Sequence, residues 1–162
     1  MERVSKHNYY LDIAQTVAKR STCLRRRFGA IIVKNDTIVS TGYNGAPRGR
    51  KNCSDLNYCM RDKLNIPRGE RYEMCRSIHA EANAIIAASR EEMMGATLYM
   101  ACIDVKTNEL SAGMSSCAMC KRQIINAGIS RVVVRDTPDT YRIIEVREWI
   151  YDDDSLSGQF GY

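Results

Sequence analysis

The chain has 162 residues, of which 44% are hydrophobic, and a formal net charge of +5. This length and apolar content suffice for one domain with a buried core and argue against a disordered chain. Met1 to Lys19 is polar and charged, and no apolar run approaches the roughly twenty residues that span a bilayer, so we expect a cytoplasmic protein without a membrane segment. Without a secretory segment, the seven cysteines indicate reduced thiols and metal binding rather than disulfides.

The first third of the chain has the pattern of one helix followed by a β-hairpin. Apolar residues at helical spacing predict a helix over residues 5–20, with Ser5 as its cap. Two β-rich runs, residues 28–34 and 37–43, flank a two-residue turn and predict the hairpin. The loop over residues 44–49 then ends the second strand, because it contains glycine, asparagine and proline.

Residues 50–76, called the excursion below, are the least regular part of the chain. A loop of this length inside a compact domain is either functional or tied down. Four cysteines, Cys23, Cys53, Cys59 and Cys75, could tie it to the N-terminal turn as a second, structural zinc site with four thiolates. The alternative is that some of these cysteines are buried thiols.

The stretch SIHAEANAIIAA, residues 77–88, predicts a helix that Ser77 could cap and that ends near residues 90–94. It places His79 and Glu81 in the first turn. A second helix is predicted to begin at CAMC, residues 117–120, and to end at Gly128. Apolar strands at residues 96–103 and 131–135 alternate with these helices, which predicts parallel neighbours in an α/β sheet with both helices starting at one edge.

One histidine and two cysteines make a donor set for catalytic zinc. His79, Cys117 and Cys120 supply three ligands and leave a fourth position for water, whose pKa the metal lowers. Glu81, two residues from the histidine, is the natural proton carrier. An H-x-E motif with a distant C-x-x-C is a signature of zinc-dependent nucleobase deaminases.

HAE at residues 79–81 with CAMC at residues 117–120 resembles the cytidine and deoxycytidylate deaminase superfamily. The segments RSTC, FGAIIVKNDTIVSTG and TGYNGAPRG, within residues 20–49, are similar to its deoxycytidylate branch. The resemblance covers roughly residues 5–136 with the motifs in the expected order. The chain departs from the family pattern at Ser116, where the family usually has proline, although serine can also cap a helix.

The resemblance implies a three-layer α-β-α sandwich around a central mixed sheet, with residues 1–162 as one domain, its core over about residues 5–136 and a C-terminal extension over about residues 137–162. It implies hydrolytic deamination of dCMP to dUMP with release of ammonia. One catalytic zinc per chain would activate the water that attacks C4 of cytosine, while Glu81 moves protons to N3 and to the departing amine. It also implies a homo-oligomer, since relatives often form hexamers.

Substrate contacts follow from the same resemblance. Asn44 would hydrogen-bond the sugar or the base, and the backbone at Ala80 and Cys117 would hold the amine and the developing charge. The phosphate would meet Arg25 or Arg26, in the turn before the hairpin, or Arg48 at the rim, because arginine presents a planar fork of donors. The sequence leaves open which of the three it is.

Two other functions fit parts of the pattern. The same zinc chemistry serves deaminases of single-stranded DNA or tRNA, but no basic stripe interleaved with aromatic residues is visible, so nucleic acid is the less favoured substrate. A non-catalytic zinc-binding scaffold is the alternative from another class. At the end of the chain, mixed spacing favours a helix over a strand for residues 141–151, and residues 152–162 are predicted to be an exposed tail.

Overall fold

A computed structural model describes residues 1–153 of the chain. Its strands are β1 (Arg26–Lys34), β2 (Thr37–Tyr43), β3 (Thr97–Asp104), β4 (Arg131–Arg135) and β5 (Tyr141–Glu145). Its helices are α1 (Lys6–Ala18), α2 (Cys53–Leu56), α3 (Met60–Lys63), α4 (Ala80–Ile86), α5 (Arg90–Met93), α6 (Ala118–Ala127) and α7 (Val146–Tyr151), with a 3₁₀ turn over Tyr72–Met74.

The five strands form one mixed sheet in the order β2-β1-β3-β4-β5. Among the strands within residues 1–153, only β3 and β4 pair in parallel, as the alternation of strands and helices predicted; the other three neighbouring pairs are antiparallel. The hairpin between β1 and β2 turns at Asn35 and Asp36, both with positive φ, which suits the right-handed twist of the strands.

Each face of the sheet is covered by helices, so the expected three-layer α-β-α architecture is confirmed. Alternate strand residues point to opposite faces, and each face has its own apolar cluster. Tyr10, Leu11 and Ala14 of α1 pack on one face, against Ile31 and other sheet residues. The opposite cluster is built from α4, α5, α6 and the start of α7 on the alternate residues of β1, β3 and β4.

Two glycines let these layers approach closely. A Cβ at Gly29 in β1 would overlap the backbone of α1 at Ala14 and Ala18. A Cβ at Gly42 in β2 would overlap the backbone of α4 at Ala80 and Ala84. Helix backbone therefore lies directly against the sheet on both faces, and Gly42 sets the distance between β2 and the helix that follows His79.

Several element boundaries differ from the sequence-based expectation. The cap of α4 is His79 rather than Ser77, and the helix ends at Ile86, before a turn and the separate short helix α5. The cap of α6 is Cys117 rather than Ser116. The prediction of a helix over residues 141–151 was wrong in its first half, because residues 141–145 pair with β4 as an edge strand.

The excursion contains two one-turn helices and the 3₁₀ turn, joined by loops. Most of the predicted C-terminal tail lies outside the described residues, and the division into core and extension stays a prediction. Within residues 1–153, no helix combines the length and the apolar composition needed to cross a membrane.

Candidate active site

The two motif helices begin side by side, because α4 and α6 pack on the same face of the sheet. His79 and Cys117 occupy the N-cap positions of these helices, and neither side chain makes a capping hydrogen bond. Cys120 follows in the first turn of α6. The sulfur atoms of Cys117 and Cys120 lie 3.5 and 3.4 Å from Nδ1 of His79.

This donor set fits zinc. The ligand atoms of His79, Cys117 and Cys120 all lie within 4.8 Å of one another. Zn–S and Zn–N bonds in a tetrahedral site imply a nitrogen-to-sulfur separation of about 3.5 Å, which agrees with both distances. Three protein ligands, one neutral nitrogen and two thiolates, would leave one position for water or substrate, as in catalytic rather than structural zinc sites.

Without a cation the three side chains share protons. The hydrogen bond with Cys120, together with one to His79, lowers the pKa of Cys117 to about 4 against the opposing effect of burial. Burial alone would lower the pKa of His79, but hydrogen bonds with the thiols of Cys117 and Cys75 raise it to about 10. A thiolate, the form that binds metal, is therefore present at neutral pH, and metal binding must displace a proton from the imidazole.

Glu81 lines a cavity of about 410 Å³ that His79 and Cys117 also line. Its side chain is 4% exposed, and burial raises the pKa of its carboxyl. A buried carboxyl beside a ligand cluster is suited to take up and release a proton at neutral pH. Beside it, Ser116 Oγ is buried and makes no hydrogen bond within the described part of the chain.

Asn44 lines the same cavity, but protein groups already occupy most of its side chain. Its Oδ1 accepts hydrogen bonds from Ser21 Oγ at 2.5 Å and from the backbone N–H of Phe28 at 2.8 Å. Its Nδ2 donates to the carbonyl of Arg26 at 2.9 Å. One amide N–H is left for a ligand, so Asn44 mainly ties the turn before β1 to the end of β2.

The three candidate phosphate arginines have different surroundings. Arg25 and Arg26 line the cavity. Arg25 also forms an ion pair with Asp62 at 3.1 Å, which neutralises part of its charge. Arg48 is exposed and is not among the residues that line the cavity, and its role at the rim stays a prediction.

The four cysteines proposed for a second zinc lie near one another without forming a metal-sized group. Cys23, Cys59 and Cys75 line the cavity, and burial together with the nearby thiols of Cys23 and Cys75 raises the pKa of Cys53. Among residues 1–153, however, His79, Cys117 and Cys120 are the one group that meets the distance criterion for a metal site. The four cysteines come from separate segments of the chain, and the second zinc stays a prediction.

Sequence reasoning missed four cavity residues in the excursion. Arg61, Arg68, Gly69 and Tyr72 line the cavity, and the Tyr72 ring meets the His79 ring edge-on with centroids 5.2 Å apart. The signal that could have found them is the length of the excursion itself, since long loops in compact domains are commonly functional.

Comparison with known proteins agrees with this geometry. Residues 4–136 match the sequence profile described as the cytidine and deoxycytidylate deaminase zinc-binding region. The chain belongs to this family. The match includes the whole His79, Glu81, Cys117 and Cys120 cluster, and the family description supports zinc as the metal of the site.

Several of the similar relatives are deoxycytidylate deaminases. The deoxycytidylate deaminase of Mycobacterium phage D29 is 38% identical over 138 residues, covering 82% of this chain and 96% of the phage protein. The deoxycytidylate deaminase of Schizosaccharomyces pombe is 34% identical over 132 residues, covering 81% of this chain. This chain spans only 37% of the length of that yeast protein.

Solved structures show the same fold. The dCMP deaminase from the cyanophage S-TIM5, in apo form, has 26% sequence identity and a TM-score of 0.57, over 85% of this chain and 88% of that chain. A cytidine deaminase from Burkholderia pseudomallei reaches the same TM-score of 0.57 at 17% identity, over 88% of this chain and 94% of that chain, and supports the fold alone.

Proposed function

We propose that this protein is a zinc-dependent hydrolase that converts dCMP to dUMP with release of ammonia. The observation that carries the proposal is the cluster of His79, Cys117 and Cys120 around one open position, with buried Glu81 beside it in a nucleotide-sized cavity. Relatives named deoxycytidylate deaminase, at 30–38% identity, support the choice of dCMP.

His79, Cys117 and Cys120 would hold the zinc, which lowers the pKa of water and so supplies a nucleophile near neutral pH. Glu81 accepts a proton from that water and delivers it to N3 of cytosine. It then carries the second proton to the exocyclic nitrogen, so the C4–N bond breaks as ammonia leaves and C4 keeps the oxygen as a carbonyl. The water thus supplies one oxygen to the base and two protons to the products.

Backbone groups at the starts of α4 and α6 would orient the base. Ala80 and Cys117 line the cavity, and their backbone groups would hold the amine and the developing charge, because preorganised donors there lower the barrier. The remaining N–H of Asn44 is available for the sugar or the base. Of the three arginines that the sequence offered as phosphate contacts, Arg25 and Arg26 line the cavity.

The test is ammonia release from dCMP, deoxycytidine, dCTP, CMP and a cytosine-bearing oligonucleotide, with zinc measured on the same preparation. Selective turnover of dCMP is the expected result. Turnover of the oligonucleotide alone would move the protein to the nucleic-acid deaminases, and zinc-loaded protein that is silent on every substrate would favour the scaffold function.

Glu81→Gln tests the proton carrier directly. Removing a general acid-base group costs roughly 10²- to 10⁴-fold in rate, so we expect kcat to fall by that factor while the zinc content is unchanged. Glu91→Gln is the matched control, because Glu91 is exposed on α5, outside the residues that line the cavity. Full activity in Glu81→Gln would contradict the mechanism.

The wider proposal is one catalytic zinc per chain in a cytoplasmic homo-oligomer. Exposed isoleucines support an assembly, among them Ile86 at 76% exposure on α4. Zinc per chain and the mass of the particle in solution, measured together, test both points: one zinc or two, and a hexamer, a smaller oligomer or a monomer.

A further inference from the structure

The excursion forms one wall of the cavity and contributes cations to it. Arg61 and Arg68 of the excursion line the cavity, as do Arg25 and Arg26 from the start of the hairpin. Glu81 is the one carboxylate among the described cavity residues. A cavity with this balance of charge is suited to a ligand that carries negative charge away from its reacting end.

Arg61 is the most unusual of these cations. It is 4% exposed, and no ion pair joins it to an acidic side chain within the described part of the chain. Its Nη2 donates to the carbonyls of Pro67 and Glu70, each at 2.8 Å, and its buried Nε has no partner. A buried charge without a counter-ion is costly, and an anionic ligand would supply the missing partner.

The position of Arg61 is fixed relative to the metal cluster. Its guanidinium carbon lies 4.3 Å from the centroid of the Tyr72 ring, a favourable cation–π contact. The same Tyr72 ring meets the ring of His79 with centroids 5.2 Å apart. These two ring contacts place the Arg61 guanidinium within the length of one nucleotide from His79. The reacting base would lie beside the metal cluster that contains His79.

The same contacts place Arg68. The two carbonyls that Arg61 binds flank Arg68 and Gly69, so the buried guanidinium holds the loop that carries the second arginine. The Arg68 side chain is exposed at the cavity rim. Arg25, by contrast, is paired with Asp62, and Arg48 lies outside the cavity lining.

We propose that Arg61, with Arg68 at the rim, binds the 5′-phosphate and makes the cavity select nucleoside monophosphates over nucleosides. The inference rests on the proposed function, since it takes the base to lie at the His79 cluster. A phosphate there accepts charge-assisted hydrogen bonds from guanidinium forks and compensates the buried charge of Arg61.

Calorimetric binding of dCMP and deoxycytidine to protein in a Glu81→Gln background tests the inference without turnover. Arg68→Ala and Arg61→Lys should each reduce the preference for dCMP over deoxycytidine by roughly tenfold to a hundredfold, the value of hydrogen bonds to a charged group. Arg50→Ala is the control, an exposed arginine outside the cavity lining, and should leave the preference unchanged. Zinc content and thermal melting are measured on every variant.

The inference is overturned if Arg68→Ala and folded Arg61→Lys both keep the preference for dCMP over deoxycytidine. It is also overturned if Arg48→Ala is the one variant that loses this preference. If Arg61→Lys does not fold, Arg68→Ala decides, because its exposed side chain makes no hydrogen bond or ion pair within residues 1–153 that folding would need. A protein that prefers dCMP in binding through these arginines, yet deaminates nothing with Glu81 intact, would refute the proposed function and leave the phosphate site standing.

Discussion

His79 and Cys117 show how the position of a residue at a helix start prepares it for metal binding. Both have the extended backbone of an N-cap residue, and neither side chain makes a capping hydrogen bond. Nδ1 and Sγ therefore remain available to each other, 3.5 Å apart, across 38 residues of sequence. Glu81 then falls one helical residue beyond Ala80, where packing of α4 on the sheet buries it.

Asn44 is an expected substrate contact, but its hydrogen bonds to the protein predict that it also stabilises the fold. Asn44→Ala removes three hydrogen bonds, to the buried hydroxyl of Ser21, the partly buried N–H of Phe28 and the carbonyl of Arg26. We expect the free energy of unfolding to fall by about 2–3 kcal/mol, measured by denaturant titration. Asn126→Ala, on the exposed face of α6, should stay within about 0.5 kcal/mol of the wild type. Wild-type stability with weakened nucleotide binding would instead make Asn44 chiefly a ligand contact.

At the scale of elements, the contact between β2 and α4 positions the histidine ligand. Gly42→Ala forces a Cβ against the backbone of α4 at Ala80, next to His79. We expect about 1–3 kcal/mol of destabilisation and weaker zinc binding, measured by competition with a chelator. Gly29→Ala is the matched control, because it crowds α1 on the opposite face and should lose stability without losing zinc affinity. Equal zinc affinity in the two variants would contradict this assignment.

The loop before α6 is held by the carboxylate of Asp136, so we expect the stability of the fold to depend on pH. Asp136 accepts hydrogen bonds from Arg142 Nε at 2.9 Å and from the N–H of Gly113 at 2.8 Å, and Arg142 also binds the carbonyl of Met114. Hydrogen bonding to Arg142 outweighs partial burial and lowers the pKa of Asp136. Since the pKa is lower in the folded state, this stabilisation is present above about pH 4 and is lost as the pH falls through the folded pKa.

Thermal melting between pH 6 and pH 3 measures this effect. Asp136→Asn should melt lower than the wild type at pH 6 and lose less stability on acidification, so the two curves converge at low pH. Asp139→Asn, an exposed carboxylate in the neighbouring turn, is the control and should follow the wild-type curve. Parallel curves for Asp136→Asn and the wild type would show that the pair does not stabilise the fold.

The last strand and helix show the limit of local pattern at this scale. The strands and helices with regular apolar spacing, α1, β1, β2, β3, β4 and α6, were predicted close to their observed bounds. Residues 141–145 were not, because Ile143 and Ile144 fit both periods. Pairing with β4 decides the matter, since Ile143 and Ile144 lie opposite Val133 and Val132. Long-range hydrogen bonding of this kind leaves no local trace.

At the scale of the whole molecule, zinc would connect two segments that are far apart in the sequence, the start of α4 and the start of α6. A metal that binds only the folded state raises its stability by mass action. Removing zinc with a chelator should lower Tm by about 5–10 °C relative to free zinc at about one hundred times Kd, and added zinc should restore it. Cys120→Ser should show no shift between the two conditions. A Tm that is insensitive to chelation while zinc leaves the protein would contradict a role of the metal in stability.

The sequence by itself determined the order of the central elements and pointed to the candidate donor set and proton carrier, because apolar periodicity, helix starts and the HAE and CAMC spacings are local. Only the tertiary structure decided which arginines line the cavity. Arg48 is not among the lining residues, Arg25 lines the cavity but is paired with Asp62, and Arg61 and Arg68 reach the site from the excursion. Convergence depends on distances between residues far apart in the chain, which packing of the helices on the sheet sets and residue spacing does not.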